Sequence, residues 1–216
     1  MTETGIQQLI ARELAAKTMG VVEQFLEVHT VVIRNDAPVI ARICRAPEER
    51  LTSVYLPVEK EKFYFVFFLD TARKVVEWAQ VEPFHSILLE ARADTPTAAG
   101  LADLTTLTPT SQHDQGAIRF AALRHELSAV RFLPNPEPDT FERKLTNLLD
   151  YLEQDAAGIQ ALAATAEECF IRVVTIFHNG NGMLGGHTLN ARSLRRISAL
   201  GLEVVFDLYA EGKRFT

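Results

Sequence analysis

The sequence predicts an α+β protein. An N-terminal helix and a β-meander precede a duplicated strand–helix–strand domain, ferredoxin-like, with a mainly antiparallel sheet. Three observations support this prediction. Apolar residues recur at helical spacing in residues 4–19 and 139–152. Two apolar runs, 63–70 and 74–81, flank a short polar turn as in a β-hairpin. Two later segments each join a strand to a helix with an apolar residue at every third position.

The first predicted domain spans residues 1–82 and begins with a helix that Gly20 ends. Residues 21–33 are rich in β-branched side chains and predict one or two strands. The strand at 63–70 is apolar on both alternating faces. We therefore expect the core to cover one face and a helix or a second subunit to cover the other. A homodimer is one way to meet this expectation.

The second predicted domain spans residues 83–216 and contains two strand–helix pairs: 84–91 with 94–107, and 170–177 with 190–200. A helix that begins near Asp139 joins them, and 202–209 is the last strand. Asn190 caps the last helix and Gly201 ends it. Residues 119–132 have a helix-favouring composition, but we assign a strand to their second half. If the two pairs are duplicates, six side chains should be buried at matching positions: Leu101, Leu104, Leu107, Leu194, Ile197 and Leu200.

Composition narrows the functional classes. The chain has 216 residues, a net charge of −6 and a pI of about 5.6. This charge disfavours a general nucleic-acid binder or a protein of anionic membrane surfaces. The N-terminus lacks the apolar core of a signal peptide, and the longest apolar runs are too short to span a bilayer. Cys44 and Cys169 lie far apart, as expected for free thiols, and we expect a cytoplasmic protein.

The loop HNGNGMLGGHT, residues 178–188, contains the pattern G-x-G-x-x-G. A dinucleotide-binding loop places the helix start inside this pattern, but here the cap, Asn190, comes later. The Gly-Lys-Ser/Thr of a Walker loop is also missing. We therefore predict a strand-to-helix connection that can contact a partner or ligand rather than a nucleotide site. Its candidate residues are His178, Gly180, Gly182, Gly185 and His187.

Patterns typical of catalysis or metal binding are incomplete. HELSA, residues 125–129, has alanine where a zinc-protease helix needs its second histidine. Cys169 follows two glutamates, which oppose thiolate formation. The sequence therefore predicts no catalytic residue, cofactor or metal. The alternative is a small-molecule enzyme with a site between the two halves, near the glycine loop and around His113, His178 and His187.

The segment from 137 to 168 is strongly acidic. It contains eight acidic residues and two basic ones, so its charge of −6 equals that of the whole chain. Its apolar stripe, Phe141 to Leu152, is expected to face the core. The carboxylates that would then project outward are Glu142, Asp150, Glu153 and Asp155. They form either a solvated helix face or a docking surface for a protein partner with a basic surface.

The C-terminal stretch GGHTLNARSLRRISALGLEVVFDLY resembles the end of the bacterial family catalogued as domain of unknown function 4279. The shared features are Leu189-Asn190 at the helix start, Leu200-Gly201 at its end and the Asp-x-Tyr of the last strand. LADLTTLTPTSQHDQG, earlier in the chain, is similar to the same family, so the resemblance covers about residues 84–210. The tryptophan common after the glycine of that motif is missing, since the single Trp lies at 78.

The family brings no established activity, catalytic residue or cofactor. Its bacterial setting is compatible with an immunity or regulatory protein. Together with the missing catalytic patterns, the resemblance favours a non-enzymatic cytoplasmic protein that binds a protein partner.

Overall fold

A computed structural model describes residues 1–45, 50–180, 184 and 186–214. The chain begins with two helices, α1 (Glu3–Ala16) and α2 (Gly20–Val28). The strand predicted from residue 21 onward is therefore wrong over most of its length. Val22 and Phe25 lie on one face of α2 and are fully buried. Burial of that face outweighs the weak preference of β-branched residues for strands.

The predicted meander is confirmed as an antiparallel sheet, hereafter the first sheet. The small hairpin β1 (Ile33–Arg34) and β2 (Ala37–Pro38) precedes it. The first sheet has the order β3-β4-β5-β6 and consists of β3 (Arg42–Cys44), β4 (Thr52–Pro57), β5 (Tyr64–Asp70) and β6 (Val75–Glu82). Its inner face buries Phe65, Phe67 and Leu69 against both helices. On the outer face Val66 is buried, but Phe68 is only half-buried.

The remaining elements, in chain order, are β7 (Phe84–Ala93), α3 (Ala98–Ala102), β8 (Ser111–His113), β9 (Ile118–Phe120), β10 (Leu123–Arg124), β11 (Ser128–Phe132), α4 (Phe141–Leu152), a 3-10 turn (Glu153–Asp155), α5 (Ala156–Thr165), β12 (Glu168–His178), α6 (Ala191–Ala199) and β13 (Glu203–Glu211). The second sheet has the order β13-β12-β7-β11-β8. Its β12–β13 pair is parallel and its other pairs are antiparallel. β9 and β10 form a separate antiparallel hairpin, hereafter the hairpin arm.

Helices cover one face of the second sheet. The predicted apolar stripe of α4 is confirmed, since Phe141, Leu145, Leu148, Leu149 and Leu152 are all buried. They join a core cluster with β7, β11 and β12. The opposite face of this sheet carries no helix of that core cluster, and we call it the open face.

The two helices predicted at 94–107 and 190–200 differ in outcome. The Asn190 cap is confirmed, because its Oδ1 accepts a hydrogen bond from Ser193 N at 2.9 Å. Gly201 follows α6 with a φ of 71°, as predicted for the end of the helix. The helix predicted at 94–107 is much shorter, since α3 begins after Thr97 and ends at Ala102.

The predicted duplication is not confirmed. β7 pairs with β11 in an antiparallel ladder, whereas β12 pairs with β13 in a parallel one, so the two units differ in topology. Leu194 is 48% exposed, so the expectation that all six matched side chains are buried is wrong. The shared spacing of leucines reflects two amphipathic segments rather than one repeated unit. No helix in the described part of the chain is long and apolar enough to cross a membrane.

Candidate functional site

The predicted acidic residues hold several internal contacts. Asp150 and Glu153 bind one guanidinium, that of Arg196, at distances of 2.6 Å each. Asp155 caps α5 through Gly158 N at 3.0 Å and also accepts from Thr106 N at 2.6 Å. Glu142, in the first turn of α4, is exposed. A basic partner for this segment stays a prediction.

The residues of the glycine loop lie in two different environments. His178 Nε2 is 2.8 Å from His29 Nε2, and both rings contact the carbonyl of Lys213. Gly180 N donates to His178 Nδ1 at 3.3 Å. His187 instead lies 2.8 Å from the hydroxyl of Thr175 and stacks on Phe141. Gly182 and Gly185 lie outside the described residues.

The three histidines of the predicted small-molecule site do not share one set of contacts. His113 stacks on His125 at 3.5 Å between ring centres, on the strand edge that carries β8. His178 and His187 contact the different partners described above. In the ranges that the structure describes, no group of three or more His, Cys, Asp or Glu residues could hold a metal ion.

The open face of the second sheet carries a group of arginines that sequence reasoning missed. Alternation along β7 directs Ile87, Leu89 and Ala91 into the core under the helices and leaves Glu90 and Arg92 on the open face. The sheet register places Arg131 of β11 and Phe170 of β12 on either side of Glu90. Arg172 follows Phe170 on the same face, two residues further along β12.

Glu90 is the centre of this group and is fully buried. Its Oε1 accepts from Arg131 Nε at 2.8 Å and lies 2.7 Å from the Nη2 of the same guanidinium. Its Oε2 lies 3.0 Å from Arg172 and 3.1 Å from Arg92. Burial alone would raise the pKa of Glu90, but the hydrogen bond of Arg131 and the three positive charges together lower it.

The flanking arginines are held by further contacts. Arg92 is 3.1 Å from Glu168, and Arg172 Nε is 3.0 Å from Asp207. Both guanidinium groups also lie over the ring of Phe170, at 5.5 and 5.8 Å from its centre. These contacts fix the orientation of both side chains, although each remains about a third exposed.

The hairpin arm completes a cavity of about 450 Å³ over this floor. Arg119 and Arg124 project from the arm into the cavity, whose lining also includes Arg92, Arg131 and Arg172. Glu126 is the one acidic residue among its described lining residues. We call this cavity the arginine pocket.

The arm itself is poorly covered by the rest of the chain. Ile118 is 70% exposed, Phe120 is 76% exposed and Leu123, which also lines the arginine pocket, is 64% exposed. The base of the arm is closed by a hydrogen bond from His125 N to Ala117 O at 2.9 Å. Three large apolar side chains thus stand in water beside a group of positive charges.

Comparison with known proteins gives a family but no activity. The family model described as domain of unknown function (DUF4279) matches residues 85–211. It covers more than half of the chain, so the protein belongs to this family, as the resemblance over 84–210 implied. Neither the curated proteins nor the solved structures include a match to the chain. The matched range contains the arginine pocket with its floor and its hairpin arm.

Proposed function

We propose that this member of the DUF4279 family is a binding protein that holds an acidic segment of a protein partner in its arginine pocket. The observation that carries the proposal is the pair of arginines on the hairpin arm. The three arginines of the floor are paired with Glu90, Glu168 and Asp207. The positive charge available to a ligand is therefore that of Arg119 and Arg124, which line the pocket together with one described carboxylate, Glu126. Within the described residues, Arg119 and Arg124 form no ion pair.

The arrangement favours carboxylate recognition. Arg131 is held by Glu90 through two of its nitrogens, and Arg92 and Arg172 are restrained by Glu90 and by Phe170. A guanidinium that is already ordered loses less side-chain entropy when it binds an anion. Arg119 adds a charged fork that can take a carboxylate in bidentate fashion, and Arg124, whose Nη1 donates to Gly116 O at 2.6 Å, adds a second guanidinium charge.

The exposed apolar residues of the hairpin arm favour a protein segment over a small anion. A small anion in the pocket would leave Ile118 and Phe120 in water. A peptide chain can bring carboxylates to the arginines and apolar side chains to the arm at the same time. Exposed apolar groups rimmed by charges are typical of protein–protein interfaces, where aromatic residues and arginine are enriched.

Fluorescence anisotropy with a labelled peptide that alternates glutamate with leucine tests the proposal. We expect saturable binding that weakens as salt rises, and at least about tenfold weaker binding for Arg119→Ala/Arg124→Ala, which corresponds to 1.4 kcal/mol. The matched control is Arg192→Ala/Arg195→Ala. It removes the same charge from two exposed positions of α6 that do not line the pocket.

Several outcomes would contradict the proposal. Equal loss of binding in both double variants would show a general charge effect rather than a pocket. Inorganic phosphate that competes as well as the peptide would indicate a small-anion site. Preferential binding of a single-stranded DNA oligonucleotide would indicate a nucleic-acid protein.

The predicted acidic surface on α4 is tested in the same assay with a lysine–leucine peptide. Among the described residues Glu142 forms no ion pair, whereas the exposed Asp150 and Glu153 share the single positive charge of Arg196. If the lysine peptide binds and Glu142→Lys abolishes its binding, a basic partner is favoured. Binding of the glutamate peptide alone would favour the arginine pocket.

A further inference from the structure

The outer face of the first sheet holds a second cavity, of about 420 Å³, which is separate from the arginine pocket. It lies between strands β4, β5 and β6 and the start of α4, to which Thr140 and Arg143 belong. On this face the register brings Ser53, Phe68 and Trp78 side by side across three strands. We call this cavity the aromatic pocket.

One wall of the aromatic pocket is formed by two stacked rings. Phe68 and Trp78 lie 4.6 Å apart with an angle of 20° between their planes. Trp78 remains 44% exposed, an unusual position for so large a side chain in a folded protein. Tyr55, almost fully buried, extends the aromatic lining across β4. A flat apolar group could therefore be covered on one side by the exposed indole.

Glu82 supplies a carboxyl group at the same pocket. Burial raises its pKa, and the nearby charge of Glu142 acts in the same direction, although a hydrogen bond from the Gln80 amide lowers it in part. In the described part of the chain, no cation forms an ion pair with Glu82. A cation bound beside a carboxyl group in this position stabilises its charged form.

The cations at the rim are already engaged by other carboxylates. Arg50 lies 3.3 Å from Asp70 and 3.6 Å from Glu77. Arg143 lies 3.9 Å from Asp139. Arg50 and Arg143 thus already have carboxylate partners. A cation bound in the pocket would supply an ion-pair partner for Glu82.

We propose that the aromatic pocket binds a small organic cation, an amine that carries a flat apolar ring. The ring would lie on the Trp78 indole and the ammonium group would meet Glu82. Aromatic rings stack favourably in offset arrangements, and pockets of this volume suit ligands of this size. The inference is independent of the proposed function, because it uses a different cavity and a ligand of opposite charge.

Trp78 is the single tryptophan of the chain, so its fluorescence reports directly on the pocket. We titrate the full chain with 2-phenylethylamine and, as a ligand of opposite charge, with phenylacetate. We expect a saturable change in Trp78 emission with the amine at millimolar concentration, and at least tenfold weaker binding of phenylacetate. Equal responses to both ligands, or no saturable response to the amine, would overturn the proposal without the need for any variant.

Two glutamate variants test the assigned carboxyl group. Glu82→Gln keeps the shape of the side chain and should weaken binding of 2-phenylethylamine at least tenfold. Glu59→Gln removes the same charge from an exposed position just after β4 that does not line the pocket, and it should bind as the unchanged protein does. Circular dichroism checks that both variants are folded. Unchanged amine affinity in folded Glu82→Gln would contradict the assignment.

Discussion

At the scale of single residues, Glu90 determines how much free charge the arginine pocket carries. It is fully buried and lies within 3.1 Å of three guanidinium groups. The carboxylate offsets part of their mutual repulsion and fixes their positions. The arginines that remain least neutralised, Arg119 and Arg124, are on the hairpin arm, which is why the proposed ligand is expected to contact them first.

We predict that Glu90→Ala destabilises the fold. The substitution removes the shared acceptor of three partly exposed guanidinium groups, two of which keep Glu168 and Asp207, so we expect a loss of about 1–3 kcal/mol. Urea unfolding followed by circular dichroism measures the loss, with Glu203→Ala on exposed β13 as the control. A free energy of unfolding for Glu90→Ala within about 0.5 kcal/mol of the unchanged protein, as for ordinary surface substitutions, would contradict this account.

The buried histidines predict a fall in stability at mildly acidic pH. Burial, with smaller contributions from the charges of His187 and Lys144, lowers the pKa of His85 from 6.5 to about 3. Between these two values the unfolded chain binds the proton and the folded chain does not. Stability is therefore lost as pH falls below 6.5, by up to about 1.4 kcal/mol per pH unit for each such histidine.

Urea unfolding at pH 7 and pH 5 measures this effect. We expect the loss between the two pH values to be smaller in His85→Gln than in the unchanged protein. Some loss should remain, because burial also lowers the pKa of His29, His113 and His187. The lowered pKa of Glu90 does not affect stability between pH 7 and pH 5. The stabilisation that Glu90 contributes is lost only as pH falls below its unfolded pKa, near 4.5. An equal pH dependence in both proteins would rule out the neutral, buried state of His85.

Local sequence carried too little information to predict the arginine pocket. The sequence does show charged residues inside apolar strands, namely Glu90, Arg92 and Arg172. Their convergence depends on pairing between distant strands, since Arg131 is 41 residues and Arg172 is 82 residues from Glu90. The loop histidines and the acidic segment form local patterns, because their members are close in sequence.

At the scale of elements, helix ends that depend on local sequence could be predicted, whereas helices that depend on burial could not. Asn190 and Gly201 mark the two ends of α6 through local contacts and backbone conformation. In contrast, α2 has a β-branched sequence and is helical because Val22 and Phe25 are buried under the first sheet. The segment after α3 also depends on a distant residue, since Asp155 accepts hydrogen bonds from Thr105 and Thr106 there.

We predict that Asp155 and Glu142, both candidates for the predicted acidic surface, respond differently to substitution. Asp155→Ala should lower the thermal midpoint by a few degrees, since it removes the cap of α5 and the anchor of the Thr105–Thr106 segment. Glu142→Ala, at an exposed position, should leave the midpoint unchanged. Differential scanning fluorimetry compares them, and equal midpoints would show that the Asp155 contacts do not stabilise the fold.

The Asp155 contribution should also depend on pH. Hydrogen bonds from Thr106, Thr105 and Gly158 lower its pKa to about 2. Its stabilisation is present above its unfolded value, near 3.8, and is lost as pH falls through 2. The difference in midpoint between Asp155→Ala and the unchanged protein should therefore persist at pH 5.

At the scale of the whole molecule, long-range polar contacts between described residues link the regions of the two sheets. His29 of the N-terminal region meets His178, 149 residues later, at 2.8 Å. Arg42 of β3 binds Asp139 at 3.0 Å and the carbonyl of Pro138 at 2.9 Å, just before α4. The aromatic pocket lies at this junction, because the first sheet supplies its wall and the start of α4 supplies its rim.

The general class of the fold could be predicted, but its assembly could not. Alternating and helical patterns predicted the meander, α4 and α6 because each pattern repeats within a few residues. Spacing alone predicted a duplication that the structure does not confirm, because β7 pairs with β11 in an antiparallel ladder and β12 pairs with β13 in a parallel one. β13 lies beside β12 and β11 lies beside β7, on opposite sides of the central β12–β7 pair. Local spacing carries no information on this strand order.

An NMR titration that follows the arginine Nε–Hε signals tests the central claim most directly, because each guanidinium reports separately on the ligand. The protein is titrated with the glutamate–leucine peptide. We predict saturable shifts for Arg119, Arg124 and Arg131, with the signals of Arg192 and Arg195 unchanged. Shifts confined to arginines outside the pocket, or no saturable shift at millimolar peptide, would contradict the claim that the arginine pocket is the binding site.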